Sequence, residues 1–365
     1  MINRMLVYLG RHVDSYLLAA VGALLVVGLI TLYSASGESF ARLGNQTINI
    51  VVALALMWLA ANIPPHYLQR LALPVYAVGL VLLIAVALFG EIVNGARRWL
   101  DLGITRIQPS ELMKIAVPMA LAWYFDRYEA ILKLRDYLIA ALMMAVPVLL
   151  VVNQPDLGTA LLICAAGFFV IFLAGLSWRI LIGLTAGVAV CVPLMIWPML
   201  HDYQRQRVLT LLDPGQDPLG AGYHTIQAAI ALGSGGFFGK GWLNGTQAHL
   251  DFLPERSTDF IFAVFSEEFG LFGNLILVTL FLFVIGRGMF ISFNASTLFE
   301  RLTAGAITLT FFTYVAVNIG MVSGVLPVVG VPLPLISYGG TSLVSLLFGM
   351  GILMSIHTHK RLVRT

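Results

Sequence analysis

About ten apolar runs of roughly 17 to 27 residues, separated by short polar breaks, organise this chain. They fall near residues 15–34, 46–62, 70–90, 108–126, 135–152, 157–175, 179–199, 259–286, 300–322 and 337–356. Each is long enough to cross a bilayer as a helix. The first, from Ser15 to Ser34, is too long for a signal-peptide core and reads as a retained helix. The pattern predicts an all-α integral membrane protein, a single polytopic unit over residues 1–365 with about ten transmembrane helices. An even number of crossings puts both ends on one side. The long polar segment, residues 200–258, is then an outer loop. At this length it is short for an independent enzyme domain. Any chemistry is expected where it meets the helix mouths.

Composition agrees. Hydrophobic residues make up 59% of the 365 and charged residues 11%, against about 25% charged in an ordinary soluble domain. The net charge of +3 is too small to imply nucleic acid. Lys360, Arg361 and Arg364 in the tail, with Arg127, Lys133 and Arg135 in one connection, place the ends on the cytoplasmic side. The basic residues that fall on the outer side concentrate in two longer loops, where they could hold an anionic ligand. Cys164 and Cys191 lie in apolar runs without metal spacing and read as small buried hydrophobes.

Ionisable residues inside such runs are expensive and therefore informative. In PERSTDFIFAVFSEE, Asp259 stands at the mouth of an apolar run. It, or Thr258, could cap the incoming helix. Alternatively it is a partly desolvated carboxylate suited to general-base work. Glu267 lies about 12 Å further along a helix and about 80° around it. That does not fit the pair of carboxylates, about 5 to 9.5 Å apart, of a glycosidase. Glu267 and Glu268 read as internal polar links to other helices, with proton relay as the lesser option.

In QPSELMK, Pro109 and Glu111 suit a helix start, and Lys114 can pair with Glu111 at i+3. The pair is either structural or also touches substrate. Arg97, Arg98 and Arg106 lie just outside, as headgroup contacts or as a phosphate clamp. The run GSGGFFGKG fails the phosphate-loop pattern, since Gly241 stands where Ser or Thr is needed. It reads as a flexible turn after a short amphipathic segment, Tyr223 to Leu232. NQPDLG and PVVGVPLPLISYGGTS are irregular segments at membrane depth, tolerated only against protein or a wet cavity. No role falls to the histidines, which lack the H-E-x-x-H pattern.

Taken in order, NGARRWLDLG…QPSELMK, NQPDLGTALL, DYQRQRVLTLLDP…DPLGAGYH, GSGG…GKGW, FLPERSTDFIFAVFSEE and PLPLISYGGTS span nearly the whole chain. Together they resemble the SEDS family (shape, elongation, division and sporulation), and within it the elongation branch. Ser257 departs from the histidine often found before Thr-Asp-Phe there. The resemblance implies a peptidoglycan glycosyltransferase of the bacterial cytoplasmic (inner) membrane that polymerises lipid II at the periplasmic face. It implies Asp259 as catalytic base of an inverting transfer, with Glu111 and Lys114 as a helix-mouth ion pair. Lys114, Glu111, Arg98, Arg106, Arg205, Arg207 and Trp99 are then the expected substrate contacts. Those cations, or a divalent ion such as Mg or Mn, could offset the leaving pyrophosphate. A class B penicillin-binding protein transpeptidase and the rod-complex scaffold are the implied partners. A lipid II flippase and a non-catalytic scaffold are the competing readings.

Overall fold

The computed structural model describes residues 12–93, 96–101, 103, 106–128, 132–191, 205, 209–211, 222–249, 253 and 255–359. The helices are α1 (Ser15–Ala35), α2 (Phe40–Asn62), α3 (Pro65–Phe89), α4 (Pro109–Arg127), α5 (Leu134–Val152), α6 (Leu157–Leu173) and α7 (Trp178–Cys191). They continue as α8 (Tyr223–Ser234), α9 (Thr246–His249), α10 (Ile261–Phe293), α11 (Leu298–Val322) and α12 (Thr341–Thr358). One helix falls on each of the ten predicted spans. α2 begins earlier than its apolar run because Ser39 accepts from Arg42 N–H as an N-cap. α3 begins at Pro65, whose missing N–H costs nothing in a first turn.

The helical reading missed one element. β1 (Glu91–Val93), β2 (Ala96–Asp101) and β3 (Arg106–Ile107) form a small antiparallel sheet between α3 and α4. Val93 pairs with Ala96 across a two-residue connection. Its sequence is Asn94–Gly95, the usual signal for a tight hairpin.

α11 and α12 are the most enclosed of the long apolar helices, whereas α3 and α5 turn most of their length outward. Leu71, Val78, Val81, Leu138, Leu142 and Leu149 on those rim helices are exposed, as a lipid-facing surface requires. α2 packs along α12, α10 along α11 and α1, and α4 against α3, α6 and α11. Two ends result. At one, the Asp126 carboxylate accepts from Gln69 Nε2 at 2.6 Å and from Phe299 N–H at 3.0 Å. There too, Arg287 Nε donates to Asp14 at 3.2 Å, tying α10 to the start of α1. At the other end lie the hairpin, the turn 255–260 and the irregular segment 323–340.

α10 is not continuous. Gly270 adopts φ 63°, ψ −163°, which divides it into a short helix, residues 261–269, and a long one, residues 271–293. The glycine-rich segment after α8 fills the gap. Lys240 and Gly241 N–H donate to the carbonyls of Glu267 and Glu268, both at 3.0 Å. Leu271 and Phe272 N–H donate to Gly236 and Phe237 carbonyls, again at 3.0 Å. Backbone groups freed by the break are thus satisfied without water. The sequence reading of a flexible turn gives way to a packed insert. A Cβ on Gly239 would lie 2.1 Å from Glu268 O, so only glycine fits.

Candidate functional site

The turn 255–260 places Asp259 at the mouth between α1, α2 and α11. Its backbone is held from three directions. Asn318 Nδ2 of α11 donates to the Asp259 carbonyl at 2.9 Å and to Val331 O at 2.7 Å. Ser337 Oγ donates to Thr258 O at 2.6 Å, and Tyr338 N–H donates to Ser257 O at 2.9 Å. Arg42 of α2 donates to Ser257 Oγ at 3.3 Å. Glu255 and Leu335, one in each of the facing segments, take left-handed φ values of 50° and 66°. Such non-glycine conformations cost about 1 to 3 kcal/mol each and persist only where surroundings enforce them.

The capping reading of Asp259 does not hold. The N-cap of α10 is Phe260, and no side chain caps it. Thr258 Oγ1 turns instead to Glu255, donating to its carboxylate at 2.9 Å. Asp259 is half-buried, and one carboxylate oxygen lies 3.4 Å from where a Cβ on Gly330 would stand. His224 of α8 stacks on Phe260, ring centroids 5.9 Å apart. Burial holds its imidazole below the usual range, with Glu255 partly opposing. Nothing along the chain singles out His224, since only folding brings α8 to this turn.

One turn of α11 before Asn318 stands Tyr314, about 6 Å along the axis. Its hydroxyl is hydrogen-bonded to Lys114 Nζ. Lys114 Nζ also donates to Glu111 Oε1 at 2.7 Å, and Ser345 Oγ of α12 donates to Glu111 Oε2 at 2.7 Å. Lys114, Glu111 and Tyr314 are all buried. A buried ion pair is tolerable only with its remaining donors and acceptors met, and here Tyr314 and Ser345 meet them. The two acidic sites are therefore joined through α11.

The expected cations divide. Arg98 reaches the Pro155 carbonyl and Gln154 O (3.4 Å), and pairs with Asp156 at 3.8 Å. Asp156 caps α6 and accepts from Gln108. Arg98 thus fastens the hairpin to the start of α6, beside the Glu111–Lys114 pair. Arg106 is exposed and pairs with Glu91 at 3.3 Å. Trp99 pairs in register with Glu91 on the hairpin and is half-buried. Arg205 is half-buried, while its sequence neighbours and Arg207 lie outside the described residues.

A cavity of about 640 Å³ opens between α2, α4 and α12. Its polar end is formed by Arg106, Gln108, Glu111 and Ser345, and its inner part by Val52, Leu56, Ile115 and Phe348. The division suits a ligand with an anionic head and a hydrocarbon tail. Among the described residues no group of three or more His, Cys, Asp or Glu could hold a metal. The side chains present do not fit a protein-built cage.

A sequence model of the FtsW, RodA and SpoVE family, described as cell cycle protein, matches residues 15–362. The Escherichia coli K12 protein named peptidoglycan glycosyltransferase MrdB is 51% identical over 96% of this chain and 95% of that protein. A Trichlorobacter lovleyi protein named probable peptidoglycan glycosyltransferase FtsW is 35% identical over 94% of this chain and 92% of its own. Among solved structures, a chain of a peptidoglycan synthase complex superposes with a TM-score of 0.84 at 34% identity. It covers 94% of this chain and 97% of that one. Thermus thermophilus RodA superposes with a TM-score of 0.72 at 30% identity, over 94% of this chain and 96% of its own.

Proposed function

The chain belongs to the FtsW, RodA and SpoVE family and is a multi-pass peptidoglycan glycosyltransferase, and we propose that Asp259 is its general base. The substrate in this reading is lipid II, presented at the periplasmic face of the cytoplasmic membrane. Asp259 takes the proton from the acceptor sugar's C4 hydroxyl as that oxygen attacks the donor's anomeric carbon. The carbon–pyrophosphate bond breaks with inversion, and a β-1,4 linkage forms. Undecaprenyl pyrophosphate leaves with its own electron pair, so no second carboxylic acid is required. Arg106 stands at the cavity's polar end to face the departing charge, with Lys114 behind it paired to Glu111.

One observation carries the reading. Asp259 is half-buried at a helix mouth and fixed through its backbone by Asn318, and its carboxylate does not cap α10. Solved relatives include a complex described as coordinating polymerization and crosslinking. That supports a class B penicillin-binding protein as partner here, with the rod scaffold beyond it. The relatives' names favour polymerisation over flipping.

Labelled lipid II incubated with the purified protein and its transpeptidase partner tests the assignment. Wild type yields long strands, and Asp259→Ala yields none while folding and binding the partner. Normal polymerisation by Asp259→Ala would end the base assignment. Leaflet exchange of lipid II without glycan, by wild type, would restore the flippase.

A further inference from the structure

The break in α10 gives Glu267 a different task from the links expected of it. A helix interrupted at Gly270 cannot transmit position along its own ladder, because the i to i−4 bonds stop there. The short helix of residues 261–269, which carries Asp259 at its start, must be located from outside. Two backbone bonds, from Lys240 and Gly241 N–H to the Glu267 and Glu268 carbonyls, do part of this, while Leu271 and Phe272 N–H anchor the same insert to the long helix. The rest converges on one side chain. Glu267 is fully buried, and its carboxylate accepts from Lys240 Nζ at 2.6 Å. It also accepts from Thr246 N–H and Thr246 Oγ1, both at 2.9 Å, and from Gln247 N–H at 3.2 Å. Ser234 Oγ at 3.4 Å completes the shell. Every one of these donors belongs to the outer segment 234–247, not to another membrane helix. The neighbouring Glu268 takes the other direction and accepts from Ser34 of α1.

We infer that Glu267 is a positioning residue for the transfer reaction. It locks segment 234–247 into the Gly270 break and so sets the pose of the short helix that presents Asp259. This rests on Asp259 as base. The outer loop thereby acquires a lever on catalysis about 12 Å from the carboxylate. Whatever displaces segment 234–247 moves Asp259, and misplacement by about 1 Å costs about 100-fold in rate.

Glu267→Gln tests it, because glutamine fills the same space and keeps the carbonyl acceptor while losing the ion pair with Lys240. Steady-state polymerisation of labelled lipid II is measured alongside amide exchange and thermal unfolding. Turnover is expected to fall about 100-fold, with KM within about twofold of wild type. Exchange should rise at Lys240, Gly241, Leu271 and Phe272, and Tm should shift little. Unchanged kcat with raised exchange overturns the proposal. So does a rise in KM at constant kcat, which would make Glu267 a substrate contact.

Should that variant fail to fold, Lys240→Met opens the same joint from its solvent-facing side, leaving the Thr246 and Gln247 donors on Glu267. The same split between kcat and KM is expected, and its absence is overturning. Asp259→Ala, run in parallel, separates the two ideas. If it keeps activity, the base assignment fails, whereas the clamp fails only on the exchange and kcat results.

Discussion

Asp259 and Glu267 sit eight residues apart on one stretch of chain, yet the fold treats them in opposite ways. Asp259 is half-buried at a helix mouth, and the protein grips its backbone carbonyl. Glu267 is sealed, and the protein grips its carboxylate with five donor groups from Ser234, Lys240, Thr246 and Gln247. A carboxylate saturated with donors is a structural fastener, since its lone pairs are already committed. A half-buried carboxylate whose main chain is gripped is instead aimed, as a general base must be. The Glu111–Lys114 pair lies between these extremes, buried and hydrogen-bonded, with Glu111 bordering the cavity.

The sharpest break in this comparison is expected at Asp259. Replacement by alanine should lower polymerisation by about 100- to 10,000-fold, the usual range for a lost general base. The unfolding midpoint should stay near wild type. Lys114→Met should do the reverse in kind, removing about 3 to 5 kcal/mol of stability by stranding Glu111. Denaturation in detergent reads this, and adding Glu111→Gln to the same chain should recover much of the loss. Asn318→Ala touches neither carboxylate but releases the Asp259 carbonyl. A decrease of about tenfold in turnover, with little change in KM, is expected. The smallest effect belongs to Arg106→Gln, whose ion pair is exposed. Stability should move by less than about 1 kcal/mol, while KM for lipid II rises if the cavity's polar end receives pyrophosphate. An unaltered KM would place the headgroup elsewhere.

Much of this was legible in the chain as written. Hydropathy alone put a helix on each of its ten runs among the described residues, because length and apolarity are local quantities that a bilayer reads directly. The i, i+3 spacing of Glu111 and Lys114 predicted their pairing, since both lie on one helix face. Tyr314 and Ser345, which make that pair tolerable, were not legible. Each is some 200 residues or more away in sequence, and nothing in its own neighbourhood marks it.

The glycine run was misread for the same reason. Its composition announces backbone freedom, and freedom suggested a flexible turn. The fold uses those glycines for close approach, against carbonyls exposed by a break in a helix that starts some 25 residues later. The sequence by itself determined the membrane class, the approximate place of each helix and the scarcity of charge that made Asp259 conspicuous. Tertiary structure alone decided that Asp259 would be held by Asn318, that segment 234–247 would close around Glu267, and that a cavity would open beside Glu111. Hydrophobic periodicity is written residue by residue. The partner of a freed carbonyl or a buried carboxylate is settled only when distant segments meet, because the cost of leaving either unbonded falls on the assembled fold.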